Sequence, residues 1–390
     1  MPVTRRHLKI NYILNHYDPL ASTHFAHVTG LLAEMAVQGC AVNLFVEKTS
    51  GPLPQLPGVR VRALRLRAPL IRHVELFVRL FLASLRGYRS TFIRISAPAA
   101  IVASICHSVS GGRAYLWQSG TTREFDLGQK WGWNRVNWFV RSAVPNYMAR
   151  KMCQRFVTGP EPMVDYYADS VGIDRRKMRL LYNDIDLEKW GRGGRREVNG
   201  GFFGYFGTQR PSHVMLLVHR LSPVRRTPVY LEKLFFDLKH EFGLDWVIVI
   251  AGDGEERSTI AGLADAAGVS SCCRFLGPVP NRELPVLYGL ADLFINPSHA
   301  EGFPRVIIEA MASGLPIVTT DAGGTSALLG RLQAGWVADK DVPGDFSRLV
   351  MELLRNPEVM AELARENLLE VERFSTPAVA RMYMDVLGEQ

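Results

Sequence analysis

The chain has 390 residues, 47% of them hydrophobic, with 46 Lys and Arg against 38 Asp and Glu, and a mean hydropathy of +0.01. That length exceeds one compact core and that apolar content excludes a disordered chain, so two domains are the default. No apolar run of about 18 residues appears, and the amino terminus, MPVTRRHLKINYILNHYD, has no long apolar stretch, so the sequence reads as neither secreted nor membrane-spanning.

In chain order, KINYILN, AVNLFVE, RAYLWQS and RFVTG are short β-branched or aromatic runs, with helical patterns such as THFAHVTGLLAEMAVQG between some of them. The second half repeats the scheme. GGFFGYFG, DWVIVIAGDG, CRFLGPV, ADLFINPS and LPIVTTDAGG are strand candidates, with helical stretches near 228–242, 255–267, 282–289 and 304–313. That alternation predicts two doubly wound α/β units, each a parallel sheet covered by helices. GRGGRREVNGG (191–201) is the best linker, because glycine and charge remove any reason to pack. The predicted organisation is an amino-terminal domain over 1–182, a connection over 183–201, a second domain over 202–375, and a last helix within 376–390 that could pack on either domain.

Charge divides along the same line. Up to Tyr182 there are 25 Lys and Arg against 10 Asp and Glu, a balance of +15; the rest holds 21 against 28, a balance of −7. The first half is therefore suited to an anionic surface. The five cysteines, Cys40, Cys106, Cys153, Cys272 and Cys273, are odd in number and irregular in spacing. They read as reduced thiols without zinc-ligand spacing.

In an open α/β sheet, ligands sit outside the carboxyl ends of the strands. The loops after DWVIVI, CRFLG, ADLFINPS and LPIVTTD should therefore converge. Gly252-Asp253-Gly254 lets backbone approach a ligand closely, although such a sequence also makes an ordinary turn. The stretch HAEGFPRVIIEAMASGLPIVTTDAGG (299–324) says more. Glu301-Gly302-Phe303 forms a loop, Pro304 suits a first helical position, and Gly314 suits a helix stop. A helix start offers free N–H groups and a positive dipole end to an anion. Two carboxylates beside an anion site fit a ligand carrying both phosphate and vicinal hydroxyls, because a carboxylate accepts two hydrogen bonds from a diol. A nucleotide sugar has a diol at each end and a diphosphate between.

These residues resemble glycosyltransferase family 4. Glu301 and Glu309 form that family's E-x7-E pattern, and the likeness extends to HRLSPVRR (219–226), AGDGEER (251–257), FLGPV (275–279) and NDID (183–186). Residues 1–180 resemble the family only in layout. The resemblance implies GT-B architecture, two Rossmann-like doubly wound domains facing a central cleft, and a retaining transfer. It implies that Glu309 holds the ribose, and that Glu301 with the N–H groups of Gly302 and Phe303 meets the donor sugar. Arg220 and Arg225, the latter at the family's lysine position, would clamp the diphosphate. Gly252, Asp253, Gly254, Phe275, Leu276 and Pro304 complete the expected donor site. Arg226 stands where the family has a glycine. In the first domain Ser22 and Thr23 replace the usual Gly-Gly pair and either bind phosphate or cap a helix. Gln118 replaces a frequent histidine, which leaves His16, His24 and His27 as open candidates for acceptor or donor contact. Asp184-Ile185-Asp186 mimics a metal-binding D-x-D but reads as a loop between domains, so neither a metal nor another cofactor is expected.

Residues 60–94 hold nine arginines and one acid, Glu75. From Leu70 onward apolar residues recur at helical spacing, with Arg72, Arg79 and Arg86 on one side. This reads either as an interfacial helix or as a core helix with a solvated arginine face. KWGWNRVNWFVR (130–141) interleaves Trp131, Trp133 and Trp138 with basic residues, as a membrane-surface segment does. No nucleic-acid reader motif is present. The sequence thus predicts a metal-independent hexosyltransferase acting on a nucleoside diphosphate sugar and a glycan or lipid-linked acceptor. It would be cytoplasmic, docked on the anionic inner face of the cell membrane through 70–94 and 130–141. Its rivals are a sugar-nucleotide epimerase of the same architecture, a soluble-acceptor transferase and a non-catalytic nucleotide-sugar binding protein.

Overall fold

The computed structural model describes residues 8–18, 26–66, 68–120, 139–191 and 210–389. They form two compact units, with the boundary after Asp184 and a return to the first unit at Thr376.

The first unit holds seven strands: β1 (Lys9–Tyr17), β2 (Ala41–Thr49), β3 (Val59–Ala63), β4 (Ser90–Arg94), β5 (Arg113–Trp117), β6 (Arg155–Thr158) and β7 (Met178–Leu180). Their order is β3-β2-β1-β4-β5-β6-β7, with all ladders parallel. β1 is buried at every position from Ile10 to Leu14. Helices cover both faces of a parallel sheet, so its strands read as continuous rather than alternating apolar runs. Phe45, Ile93, Leu116 and Phe156 from the sheet pack with Leu76, Leu80, Ala100 and Ala103 from the helices Pro69–Leu85 and Ala97–Ser110. The last helix, Thr376–Gly388, belongs to this unit. Ser90 donates to the Leu387 carbonyl at 2.7 Å, and the Phe92 and Tyr383 rings lie 5.2 Å apart.

The helix Pro69–Leu85 corrects one expectation. Its arginines do not form a solvated face. Arg72 is buried, with Nε donating to the Leu66 carbonyl at 3.3 Å, and Arg79 pairs with Glu75 at 2.6 Å. Arg86 lies just past the helix end. The outward side carries Leu70, Ile71, Val74, Val78, Leu82 and Leu85, all exposed. The helix is apolar inside and outside because Leu and Val recur on both sides of a turn.

The second unit holds β8 (His213–Val218), β9 (Trp246–Ala251), β10 (Cys273–Gly277), β11 (Leu293–Asn296), β12 (Ile317–Thr320) and β13 (Val337–Ala338). The order is β10-β9-β8-β11-β12-β13, again parallel. Both units are thus Rossmann-like, with order reversing beside the first strand: between β1 and β4, and between β8 and β11. The central strand β8, HVMLLV, is not among the strands the sequence predicts; GGFFGYFG, the strand predicted to open this domain, lies outside the described residues, as does most of the predicted linker. The short helix Leu187–Gly191 folds with the second unit, where Trp190 meets Tyr288 edge-on at 5.2 Å. All five cysteines are buried and unbridged.

Candidate functional site

The order reversal of the second sheet gathers the predicted donor residues. β8 ends at Val218, and buried His219 follows it, with Nε2 2.9 Å from Thr227 Oγ1 and Nδ1 3.4 Å from Asn296 Oδ1 at the end of β11. Asn296 Nδ2 in turn donates to Thr319 Oγ1 on β12 at 3.2 Å. Burial, with Arg225 nearby, pushes the imidazole well below its ordinary range, so His219 is a neutral pin across the strand ends. The loop after β8 is fixed on the loop after β9. Leu221 N donates to the Asp253 carbonyl at 3.0 Å, and Glu256 N to the Leu221 carbonyl at 3.1 Å. That contact explains the glycines. A Cβ at Gly252 would lie 2.1 Å from the His219 carbonyl oxygen, and one at Gly254 2.1 Å from that of Leu221. Asp253 Oδ1 accepts from Gly254 N at 2.9 Å.

The next turn, Pro223–Arg225, brings the loop after β8 against the loop after β11. His299 N donates to the Arg225 carbonyl at 2.7 Å, and Arg225 Nη1 forms an ion pair with Glu301 Oε1. The side chains are 17% and 5% exposed, so the pair is largely withdrawn from water. Burial first, then the neighbouring Arg220 charge, lowers the Arg225 guanidinium to about 10, while Glu256 opposes that shift. Arg220 itself is exposed. Arg226, at the position where the resemblance expects a glycine, has a left-handed backbone, with φ 53° and ψ 32°.

The helix beyond Glu301 runs Arg305–Ala312, so Pro304 is its N-cap rather than its first residue. Within its first turn, Ile307 N donates back to the Pro304 carbonyl at 3.0 Å. Gly323, at φ +62°, packs where a Cβ would stand 2.4 Å from the Glu301 carbonyl oxygen, so the loop after β12 supports this turn. Glu309 lies on the second turn, buried, with Oε2 accepting from Tyr288 Oη at 3.2 Å and Oε1 3.7 Å from Arg305 Nε. Burial raises its carboxyl above the ordinary range, opposed by Arg305 and the Tyr288 hydrogen bond. Gly314, at φ +65°, ends the helix one residue past Ser313. Arg257 stacks over Phe275 with 5.5 Å to the ring centroid, beside half-buried Leu276. Glu301, Gly302, Phe303 and Pro304 thus lie on one loop that meets Arg225, with Glu309 just inside the helix that follows.

Other predicted residues stand elsewhere. Ser22, Thr23 and His24 lie outside the described residues, as do Trp131, Trp133 and Trp138. Gln118 is held on both ends of its amide, accepting from Arg150 Nε and donating to Asn146 Oδ1, each at 2.7 Å. His16 Nε2 lies 2.7 Å from Ser50 Oγ, and His27 sits on the helix Ala26–Val37. The D-x-D pair is divided. Asp184 accepts from Thr376 Oγ1 at 2.9 Å within the first unit, and Asp186 accepts from Lys189 N at 3.1 Å at the start of a helix in the second. Among the described residues, no three His, Cys, Asp or Glu side chains gather as metal ligands. Sequence reasoning missed His219, Tyr288 and Asn296. Only His219, the first residue of HRLSPVRR, had a local signal.

Residues 206–368 match the model of the glycosyl transferases group 1 family. A D-inositol 3-phosphate glycosyltransferase from Catenulispora acidiphila is 27% identical over 222 residues, which are 55% of this chain and 51% of that protein. The chain spans about half the length of the curated relatives it matches. Among solved structures, an Anabaena protein, HepE, in complex with UDP and glucose superposes with a TM-score of 0.71 at 14% identity, covering 98% of this chain and 100% of that one. Sucrose-phosphate synthase from Thermosynechococcus elongatus reaches 0.74 at 18% identity, covering 97% and 98%. These likenesses carry the GT-B fold. The family match falls on the unit that bears the paired carboxylates and arginines, so it is this part of the chain that is similar to the glycosyl transferases group 1 family.

Proposed function

We propose that this protein is a retaining, metal-independent glycosyltransferase that moves a hexose from a nucleoside diphosphate sugar to a membrane-associated glycan or lipid-linked acceptor. The observation that carries the reading is the meeting of Arg225 with Glu301 at a helix start that has Glu309 buried on its next turn. Glu309 accepts the ribose diol. Glu301, with the Gly302 and Phe303 N–H groups, orients the hexose, and Arg220 and Arg225 face the diphosphate. The bond from the anomeric carbon to the diphosphate breaks while the acceptor oxygen attaches on the same face. The acceptor proton passes to the departing phosphate oxygen, and the fixed cations neutralise the growing charge. Support for the ligand class comes from HepE, described in complex with UDP and glucose.

The membrane half of the proposal rests on the basic first unit and on the exposed apolar side of the helix Pro69–Leu85. No described helix is long and apolar enough to cross a membrane. The proposed attachment is peripheral, on the cytoplasmic face. Product analysis with a sugar-labelled donor, run in excess EDTA, tests the reaction. Label should move to the acceptor with retained anomeric configuration. Label staying on the nucleotide as a different sugar would make the protein an epimerase, and unchanged donor with tight binding would make it a binding protein. Loss of transfer in EDTA, restored by manganese or magnesium, would overturn metal independence.

A further inference from the structure

Away from the carboxyl edge of its sheet, the first unit has a cavity of about 60 Å³ between β2, β3 and the helix Pro69–Leu85. Parallel register sets Asn43 opposite Arg60 and Phe45 opposite Arg62. Paired residues point to the same side of a sheet, so these four line one wall. The helix and the residue just after it supply Arg79 and Arg86 on the other. Four guanidiniums around so small a space repel one another. The nearby acid, Glu75, is engaged with Arg79 and with the backbone N–H groups of Arg65 and Leu66. Among the described residues, Arg60, Arg62 and Arg86 form no ion pair with a carboxylate. The space is about right for one tetrahedral oxyanion, and convergent guanidiniums are the side chains that hold phosphate bidentately.

The second observation decides what carries the phosphate. Leu82 lines the cavity and also belongs to the exposed apolar row of the same helix. Leu70, Val74 and Leu85 in that row are 83%, 63% and 70% exposed. The helix has 17 residues and so is about 25 Å long. An apolar row alone would suit many partners; one that opens at its carboxyl end into an arginine-walled cavity matches acyl chains lying next to an anionic headgroup. We propose that the pocket of Arg60, Arg62, Arg79 and Arg86 binds the phosphate of an anionic phospholipid, seating the outer side of the helix Pro69–Leu85 in the membrane interface. This rests on the membrane-acceptor reading above and gives it a defined lipid site.

The test is flotation with phosphatidylcholine vesicles, with and without phosphatidylglycerol, at low salt. Three proteins are compared: wild type, R60Q/R62Q, and R65Q/R89Q as a control that removes the same charge from exposed arginines outside the cavity. Nucleotide-induced thermal stabilisation checks that each is folded. The proposal expects wild type to float only with phosphatidylglycerol, and R60Q/R62Q to lose about tenfold more affinity than the control. Equal weakening of both variants would overturn the pocket while leaving a diffuse basic membrane surface standing. A wild type that ignores phosphatidylglycerol vesicles would overturn the lipid site and the membrane reading together. If inorganic phosphate then raised the melting midpoint of wild type but not of R60Q/R62Q, the pocket would belong to a soluble phosphate, again against the lipid assignment.

Discussion

The two units reverse strand order in the same way, yet they furnish the reversal differently. In the second, between β8 and β11, Arg220 is exposed, Arg225 is largely buried, and its ion pair with Glu301 stands at a helix start. In the first, between β1 and β4, Arg94 is sealed at 4% exposure. It donates to Asn183 Oδ1, lies 5.1 Å over the Trp117 ring, and feels Tyr12, Tyr383 and Asp184. Those partners come from strands, from the last residues before the boundary and from the returning helix. One arginine cluster belongs to the candidate site of the second unit; the other fastens the chain where it leaves and re-enters the first unit.

Replacing the sealed arginine should break that contrast most severely. Arg94→Ala leaves Asn183 and Asp184 buried without their cation and should cost about 3–5 kcal/mol, read as a lower denaturation midpoint. Arg220→Ala, at the exposed counterpart, should leave the midpoint near wild type. Equal losses would mean that both arginines are structural. In the second unit, Gly252→Ala should cost about 1–3 kcal/mol, because the backbone must move to clear the His219 carbonyl.

A pH series sharpens the role of Glu309. Its native carboxyl is raised by burial, so between the ordinary 4.5 and that raised value the native state binds more protons than the unfolded chain, and stability falls as pH rises. Glu309→Gln should remove that downward slope. At neutral pH the variant should melt no lower than wild type while binding nucleotide more weakly. Survival of the slope in Glu309→Gln would assign it to another group. The smallest expected effect belongs to Arg226→Gly. A left-handed non-glycine residue costs about 1–2 kcal/mol, and the flexibility of glycine offsets about half of that, so the melting midpoint should rise slightly. A clear fall would show that the arginine side chain holds this turn.

The second unit's site was legible because its chemistry is local. Arg225, Glu301 and Glu309 lie in two short blocks whose glycines and helix start declare themselves, and the structure explains Gly252 and Gly323 by backbone that passes too close for a Cβ. β8 is passed over although HVMLLV is a continuous apolar run of the kind a buried parallel strand shows, because the aromatic run GGFFGYFG just before it draws the strand assignment. The outer side of Pro69–Leu85 stays open between an interfacial face and a solvated arginine face, because apolar residues occupy both sides and spacing alone cannot say which side meets water. The Arg94 cluster was invisible, since Arg94 meets Asn183 across 89 positions and Asp184 meets Thr376 across 192. No periodicity joins such residues.

The central claim is a division of labour at the second reversal, with Glu309 on the nucleotide and Glu301 on the sugar. Calorimetric affinity for the tightest-binding nucleoside diphosphate of a UDP, GDP and ADP panel, measured for wild type, Glu309→Ala and Glu301→Ala, tests it directly. Glu309→Ala should lose about 1.5–3 kcal/mol, or roughly 10- to 150-fold. Glu301→Ala should bind the free diphosphate like wild type, although it fails to transfer sugar. Equal loss of nucleotide affinity in the two variants, or none in Glu309→Ala, would contradict the account.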